Sequence, residues 1–313
     1  PPAFGHLPRM TGEESRDRSD ARPSRVAWLQ LGLVVVLFGL AWPVIRIGLG
    51  AGTPIWLAAA RATLSATTAF VLVAALKRLA WPGRADWPII LSVGALQLTC
   101  FFAFANLGVQ IVPPGRSGVL AYTTMLWMVP LSWMIGEKVG RRAFLGAALG
   151  VAGIVVLVDP LRFDWSDRRV MLGHGWLLAA GFTWALAILH ARRHSWRMSP
   201  LDVLPWQMGV ATVLLWILAF TLEPGGHLDL QQPSLWIALL YLGVLAGPTA
   251  TWAAVSVARA LPPVTGSLGM LGVPLLAIAS SVVLVGEPVT WPLAIGTALV
   301  IAGIAIVILD RNN

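Results

Sequence analysis

Ten apolar stretches, separated by short polar interruptions, follow one another along the chain at approximately 26–49, 54–76, 87–108, 115–135, 142–158, 174–191, 200–222, 234–257, 263–285 and 291–309. A hydrocarbon core of about 30 Å takes roughly 20 residues of helix, so the pattern predicts ten transmembrane helices. The interruptions carry helix-breaking residues: Gly50 through Pro54, Trp81-Pro82-Gly83, Pro113-Pro114-Gly115, Glu223-Pro224-Gly225-Gly226, Pro262-Pro263 and Glu287-Pro288. Residues 1–25 depart from the pattern. Arg9, Glu13, Glu14, Arg16, Asp17, Arg18, Asp20, Arg22 and Arg25 leave almost nothing to bury, which reads as a disordered, charged cytoplasmic tail. The stretch from residue 26 to 49 is too long for the apolar part of a leader peptide and is read as a retained helix.

Composition points the same way. The chain is 57% hydrophobic and 12% charged, with mean hydropathy +0.77, against about 45–50% and about 25% in soluble domains. Too little polar surface remains to cover a water-facing globule, so the fold class is all-α and integral to a membrane, with lipid as its main partner.

Charge then orients the helices. With the N-terminus in the cytoplasm, sixteen of the 22 Lys and Arg fall on the inner side: the five of the tail, Lys77, Arg78, Arg84, Lys138, Arg141, Arg142, Arg192, Arg193, Arg197, Arg259 and Arg311. Four fall outside (Arg116, Arg162, Arg168, Arg169), and Arg46 and Arg61 lie within helices. Cytoplasmic loops are the ones enriched in Lys and Arg, so both ends are expected in the cytoplasm. The net charge of +8 is accounted for by these loops, and no nucleic-acid partner is expected. Cys100 is the single cysteine and lies in an apolar run; it implies no disulfide, and no metal or other cofactor is expected.

The chain also repeats itself. Val112-Pro113-Pro114 matches Leu261-Pro262-Pro263, Gly136-Glu137 matches Gly286-Glu287, and Gly146, Gly150 and Gly153 match Gly296, Val300 and Gly303. Earlier, Gly39 and Trp42 match Gly181 and Trp184. The domains read as 26–158 and 174–309, five helices each. Because five is odd, the second set runs through the membrane inverted, an arrangement found in transporters that bind solute at the midplane.

These duplicated motifs resemble the EamA-type drug/metabolite transporter superfamily over about residues 30–309. The Trp content and the surroundings of Trp42-Pro43 and Trp127 look most like the YddG-type aromatic amino-acid exporters within it. The resemblance implies a ten-helix inverted-repeat fold in a bacterial inner membrane and a central cavity for a small-molecule substrate. It also implies that substrate groups come mainly from helices one, three, four, six, eight and nine. Small multidrug relatives carry a Glu in the first helix, and this chain has none there.

Candidate solute contacts are few. All eight acidic residues beyond the tail and the 160–170 loop sit at helix ends or in loops, so no midmembrane carboxylate is available as an ion carrier. Glu137 is read as a cap or gate near Lys138, Arg141 and Arg142, and Glu287 as a cap on helix ten. Arg46 and Arg61 lie roughly 6–12 Å inside the outer ends of helices one and two. Each either snorkels to the surface or forms a positive entrance for a solute carboxylate. Tryptophans 28, 56, 81, 87, 176, 236 and 291 form interfacial belts. Trp42, Trp127, Trp184, Trp216 and Trp252 lie deeper, where they either fill space or line a cavity. Interior polar groups are Gln97, Asn106, Tyr122, Thr123, Thr124, Thr183, His190, Gln207, Thr249, Thr251 and Ser256. Gln97, Phe101, Phe104 and Gly108 share one face at helical spacing. The substrate-lining candidates are therefore Trp42, Gln97, Phe101, Phe104, Tyr122, Trp127, Thr183, Trp184 and Trp252. Amides and hydroxyls among aromatics suit a polar-headed, apolar-bodied solute such as an aromatic or large apolar amino acid. A membrane-embedded enzyme would need a nucleophile–base set at depth, which the sequence does not offer. The glycine stripes of helices five and ten read as packing scaffold or a weak homodimer surface on an otherwise monomeric protein.

Overall fold

The computed structural model describes residues 25–137, 139–159, 166–261 and 263–310, with the side chains of 255, 258, 259, 263, 264 and 310 outside the description. Residues 1–24 of the charged tail, Lys138, Arg162, Pro262 and Arg311 lie outside the described residues, and Arg25, assigned to the tail, begins the first helix. Seven membrane segments are single helical runs: α1 (Arg25–Gly48), α2 (Pro54–Ala75), α3 (Trp87–Ile111), α5 (Arg141–Val158), α6 (Arg168–Arg193), α7 (Pro200–Leu222) and α10 (Trp291–Asp310). The α8 segment runs through Pro233–Leu240, Tyr241–Thr249 and Ala250–Ala260. Nine helical stretches among the described residues are long and apolar enough to cross a bilayer.

The tenth crossing differs from the expected continuous helix. The α4 segment is two helices, Pro114–Ala121 and Thr124–Met134. At the break the Thr123 and Thr124 hydroxyls donate to the carbonyls of Leu120 and Ala121, at 2.6 and 3.2 Å. Hydroxyls that bond back to nearby carbonyls compete with the helical ladder. The α9 segment is broken likewise into Pro263–Gly269 and Gly272–Val285, with Met270-Leu271 between two glycines. A further difference lies in α6, which begins six residues before the expected 174. Arg168 and Arg169 thus form its first turn behind the Asp167 N-cap, and His174 joins His190 inside the segment.

Both third helices carry wide π-helical turns, Val93–Cys100 in α3 and Tyr241–Thr249 in α8. Thr99 donates to the Gly94 carbonyl five residues back at 2.8 Å, and Thr249 to that of Val244 at 3.1 Å. The two bonds sit 150 residues apart, the offset already seen in the sequence. Helix contacts obey the same exchange. The pairs α2–α7, α4–α9 and α5–α10 each map onto themselves, while α3–α6 corresponds to α8–α1 and α1–α9 to α6–α4. Glycines set the closest approaches. A Cβ on Gly94 would stand 2.8 Å from Val210 and 2.9 Å from the Gln207 carbonyl; on Gly243 it would stand 2.6 Å from Leu64 and 3.1 Å from the Arg61 carbonyl. Arg61 in α2 and Gln207 in α7 are therefore structural equivalents. Gly146 and Gly150 of α5 meet Gly303 of α10, so this stripe is used inside the protein.

Candidate solute-binding cavity

A cavity of about 430 Å³ lies among α1, α2, α3, α4, α6, α8, α9 and α10. Its wall is mostly apolar and aromatic. Trp42 meets Phe101 edge-on at 6.3 Å between ring centroids, and Trp184 meets the same ring at 4.6 Å. Phe101 adjoins Phe102 at 6.4 Å, and the guanidinium carbon of Arg61 stands 3.7 Å above the Phe102 ring. The two tryptophans at matching repeat positions thus flank one phenylalanine. Tyr122 and Thr124, at the break in α4, and Ser267 add hydroxyls, and Met125 and Met270 add adaptable apolar surface.

Of the residues singled out from the sequence, Trp42, Phe101, Tyr122, Trp184 and Arg61 line this cavity. The others sit elsewhere. Phe104 stacks on Trp176 at 5.1 Å. Trp127 packs against Phe182 at 5.3 Å, and its buried indole nitrogen has no hydrogen-bond partner. Thr183 bonds back to the Ala180 carbonyl. Trp252 is 40% exposed and does not line the cavity. Gln97 is half-buried on the π-helical stretch and does not reach the lining. Arg46 is exposed and donates to the carbonyls of Val109 and Gln110 at 2.9 and 2.6 Å. It is spent on the C-terminus of α3, where a cation complements the helix dipole. Phe38, Phe102, Met125, Leu242 and Ala246 line the cavity and were missed. Phe38 had a signal, since it lies one helical turn before Trp42.

The cavity extends toward the face where α1 begins, reaching Leu261, Gly266 and Ile308. The opposite face is tied shut. Glu223 Oε2 accepts from the Ile55 N–H at 3.1 Å, and the Thr53 and Asp229 N–H groups donate to the carbonyls of His227 and Ala51. Glu287 contradicts its assignment to helix ten: its carboxylate accepts from the N–H groups of Gly115 and Arg116, at the start of α4. Those donors have no partner within their own helix, and a carboxylate suits them. Glu137 pairs with Arg192 at 3.6 Å, a cation on α6 that the sequence reading did not name. Among the described residues, no three His, Cys, Asp or Glu side chains gather in a metal-binding group.

The sequence profile of the EamA-like transporter family matches residues 26–159 and, a second time, residues 171–309. The chain belongs to the EamA-like transporter family. Several relatives align with nearly all of this EamA protein. A Salmonella typhimurium protein described as "Probable amino-acid metabolite efflux pump" is 27% identical over 88% of this chain and 92% of its own length. Its Escherichia coli counterpart of the same description is 26% identical with the same coverage. The Bacillus subtilis transporter YvbV is 24% identical over 89% of this chain and 90% of its own. A crystal structure, 21% identical, shares the fold with a TM-score of 0.64 over 91% of this chain and 99% of the other. The EamA protein is thus a multi-pass membrane transporter, with one family match for each set of five helices.

Proposed function

We propose that this transporter exports small organic metabolites with an aromatic or large apolar body, amino acids foremost, by alternating access and down the solute's own gradient. The observation that carries the reading is the Trp42–Phe101–Trp184 wall, in which both halves contribute a ring to one surface. Offset and edge-on ring contacts favour an aromatic guest beyond its buried area. The descriptions of the Salmonella and Escherichia relatives point to amino-acid metabolites as well. We take 26–158 and 174–309 as the two exchanging halves and place both termini in the cytoplasm. In that orientation the cavity reaches the cytoplasmic side, where an exported solute is loaded.

The rival within the same fold is a proton-coupled drug exporter. Facilitated transport is favoured because no Asp or Glu lines the cavity among the described residues, and a coupled carrier needs a group to carry the ion. Purified protein in liposomes, assayed with aromatic and aliphatic amino acids, nucleosides and cationic drugs, tests both points. Aromatic amino acids should exchange fastest, and imposed pH or sodium gradients should leave their initial flux nearly unchanged. Uphill accumulation driven by a proton gradient supports the rival.

A further inference from the structure

Arg61 is a charge inside the membrane that the protein leaves without an anionic partner. It is 5% exposed, eight residues into α2. Its Nε is buried and makes no hydrogen bond, and it forms no ion pair among the described residues. Its one recorded neighbour of note is the face of Phe102. A guanidinium offers five N–H donors, and leaving them unmet in a low-dielectric site is costly. Snorkelling accounts for Arg46, which reaches the surface and bonds two carbonyls, but not for Arg61.

Packing does not require the charge either. The equivalent position in the other half is Gln207, also buried, whose carbonyl sits under Gly94 as that of Arg61 sits under Gly243. A neutral side chain therefore serves the same helix crossing. Arg61 lines the cavity and is the one charged residue of the lining among the described residues. It stands at the end of the aromatic wall, next to Phe102.

We propose that Arg61 is the carboxylate anchor of the cavity. It binds the solute's carboxylate through paired N–H donors while the solute's apolar body lies along Trp42, Phe101 and Trp184. Arg and carboxylate match in this two-pronged way, and both partners are charged. No acidic side chain of the described lining is available to hold an ammonium group. The selected class is therefore hydrophobic monocarboxylates, with the free amino group dispensable. This proposal rests on the transport of aromatic-bodied solutes argued above.

The test uses two probes that share one body and differ in charge, N-acetylphenylalanine and its neutral amide, N-acetylphenylalaninamide. Their binding to the purified full chain is titrated by tryptophan fluorescence, and acid flux is followed in liposomes. Wild type should bind the acid about tenfold or more tightly than the amide. Arg61→Gln should lose that preference and keep its affinity for the amide, while Arg61→Lys should retain part of it. Equal binding of acid and amide by wild type overturns the anchor and needs no variant to fold. So does an Arg61→Gln protein that keeps the wild-type ratio. In either case binding of the amide leaves the aromatic reading standing. A wild type that binds neither probe overturns both readings.

Discussion

The Oε2 atom of Glu287 accepts a hydrogen bond from the N–H of Gly115 at 2.7 Å, across 172 residues of sequence. Its Oε1 accepts from Arg116 N–H at 3.3 Å. The loop between α9 and α10 is thereby fastened to the start of α4 in the other half. Glu287→Ala leaves both donors without an acceptor, at about 1–3 kcal/mol for a buried unmet donor. Glu287→Gln keeps an acceptor and should cost less. Thermal unfolding in detergent orders the two; equal loss in both would refute the capping role.

Asp86 and Glu287 should respond to pH with opposite sign. Burial raises Asp86, but the N–H groups of Arg197, Met198 and Gly83, with the Arg197 charge, outweigh it and hold the carboxyl below the usual range. Its stabilisation is present above the ordinary Asp pKa and is lost as pH falls through the folded value. Burial raises Glu287 above its usual range, while the N–H groups of Gly115 and Arg116 and the Arg116 charge only partly offset it. Its contribution is fully present below the ordinary Glu pKa and is lost as pH rises through the folded value. Against wild type, the Asp86→Asn protein should therefore melt lowest at neutral pH, and the Glu287→Gln protein should compare best there. Both gaps should close on acidification in a pH series of melting temperatures.

Trp42→Ala or Trp184→Ala should weaken transport of aromatic solutes several-fold to tenfold. A ring–ring contact is worth about 0.5–1.5 kcal/mol beyond burial, and about 1.4 kcal/mol is a factor of ten. Aliphatic solutes should lose less. Trp291, 81% exposed, is the control, and its replacement should leave selectivity alone. An unchanged aromatic-to-aliphatic flux ratio in both variants would mean that these rings only fill space.

The ten crossings, the inverted duplication and the aromatic pair were legible because each leaves a mark in residue type at fixed spacing. The breaks in α4 and α9 were not. Apolar residues continue on both sides of Tyr122-Thr123 and of Met270-Leu271, so hydropathy does not register one lost helical bond. The π turns in α3 were also silent, since residue type does not mark them. Arg46 and Arg61 look alike in sequence, each a lone Arg within an apolar helix. Only the tertiary neighbours separate them, α3 carbonyls for one and Phe102 for the other. Glu287 is misread for the same reason, since its partners lie in the other half of the chain.

Close backbone contact between α5 and α10 predicts intolerance of any side chain there. A Cβ on Gly153 would stand 2.7 Å from the Val300 nitrogen and 2.8 Å from the Gly296 carbonyl oxygen, neither of which can rotate away. Gly153→Ala should cost about 1–3 kcal/mol through overpacking. Gly175→Ala, with nothing within 4 Å of its Cβ, should be silent. Melting temperatures of the two proteins decide the matter.

Reporter fusions at Asn313 and within the 223–233 loop should report opposite sides of the membrane, with Asn313 cytoplasmic. Same-side signals would be incompatible with ten crossings and an odd number of segments in each half.

The exchange relation among helix contacts has an energetic consequence. In the proposed alternating access, an exchange of conformations between the halves would leave α2–α7, α4–α9 and α5–α10 with their partners and swap the geometry of α3–α6 with that of α8–α1. For two identical halves, the states open to either side would be degenerate by symmetry, with no ligand or ion required to equalise them. The bias between them thus reduces to those positions where the halves carry different residues. Arg61 opposite Gln207 is such a position, and both residues are buried. An unmatched buried charge is thus one of the residues through which the sequence, rather than the fold, weights the two orientations of the proposed cycle.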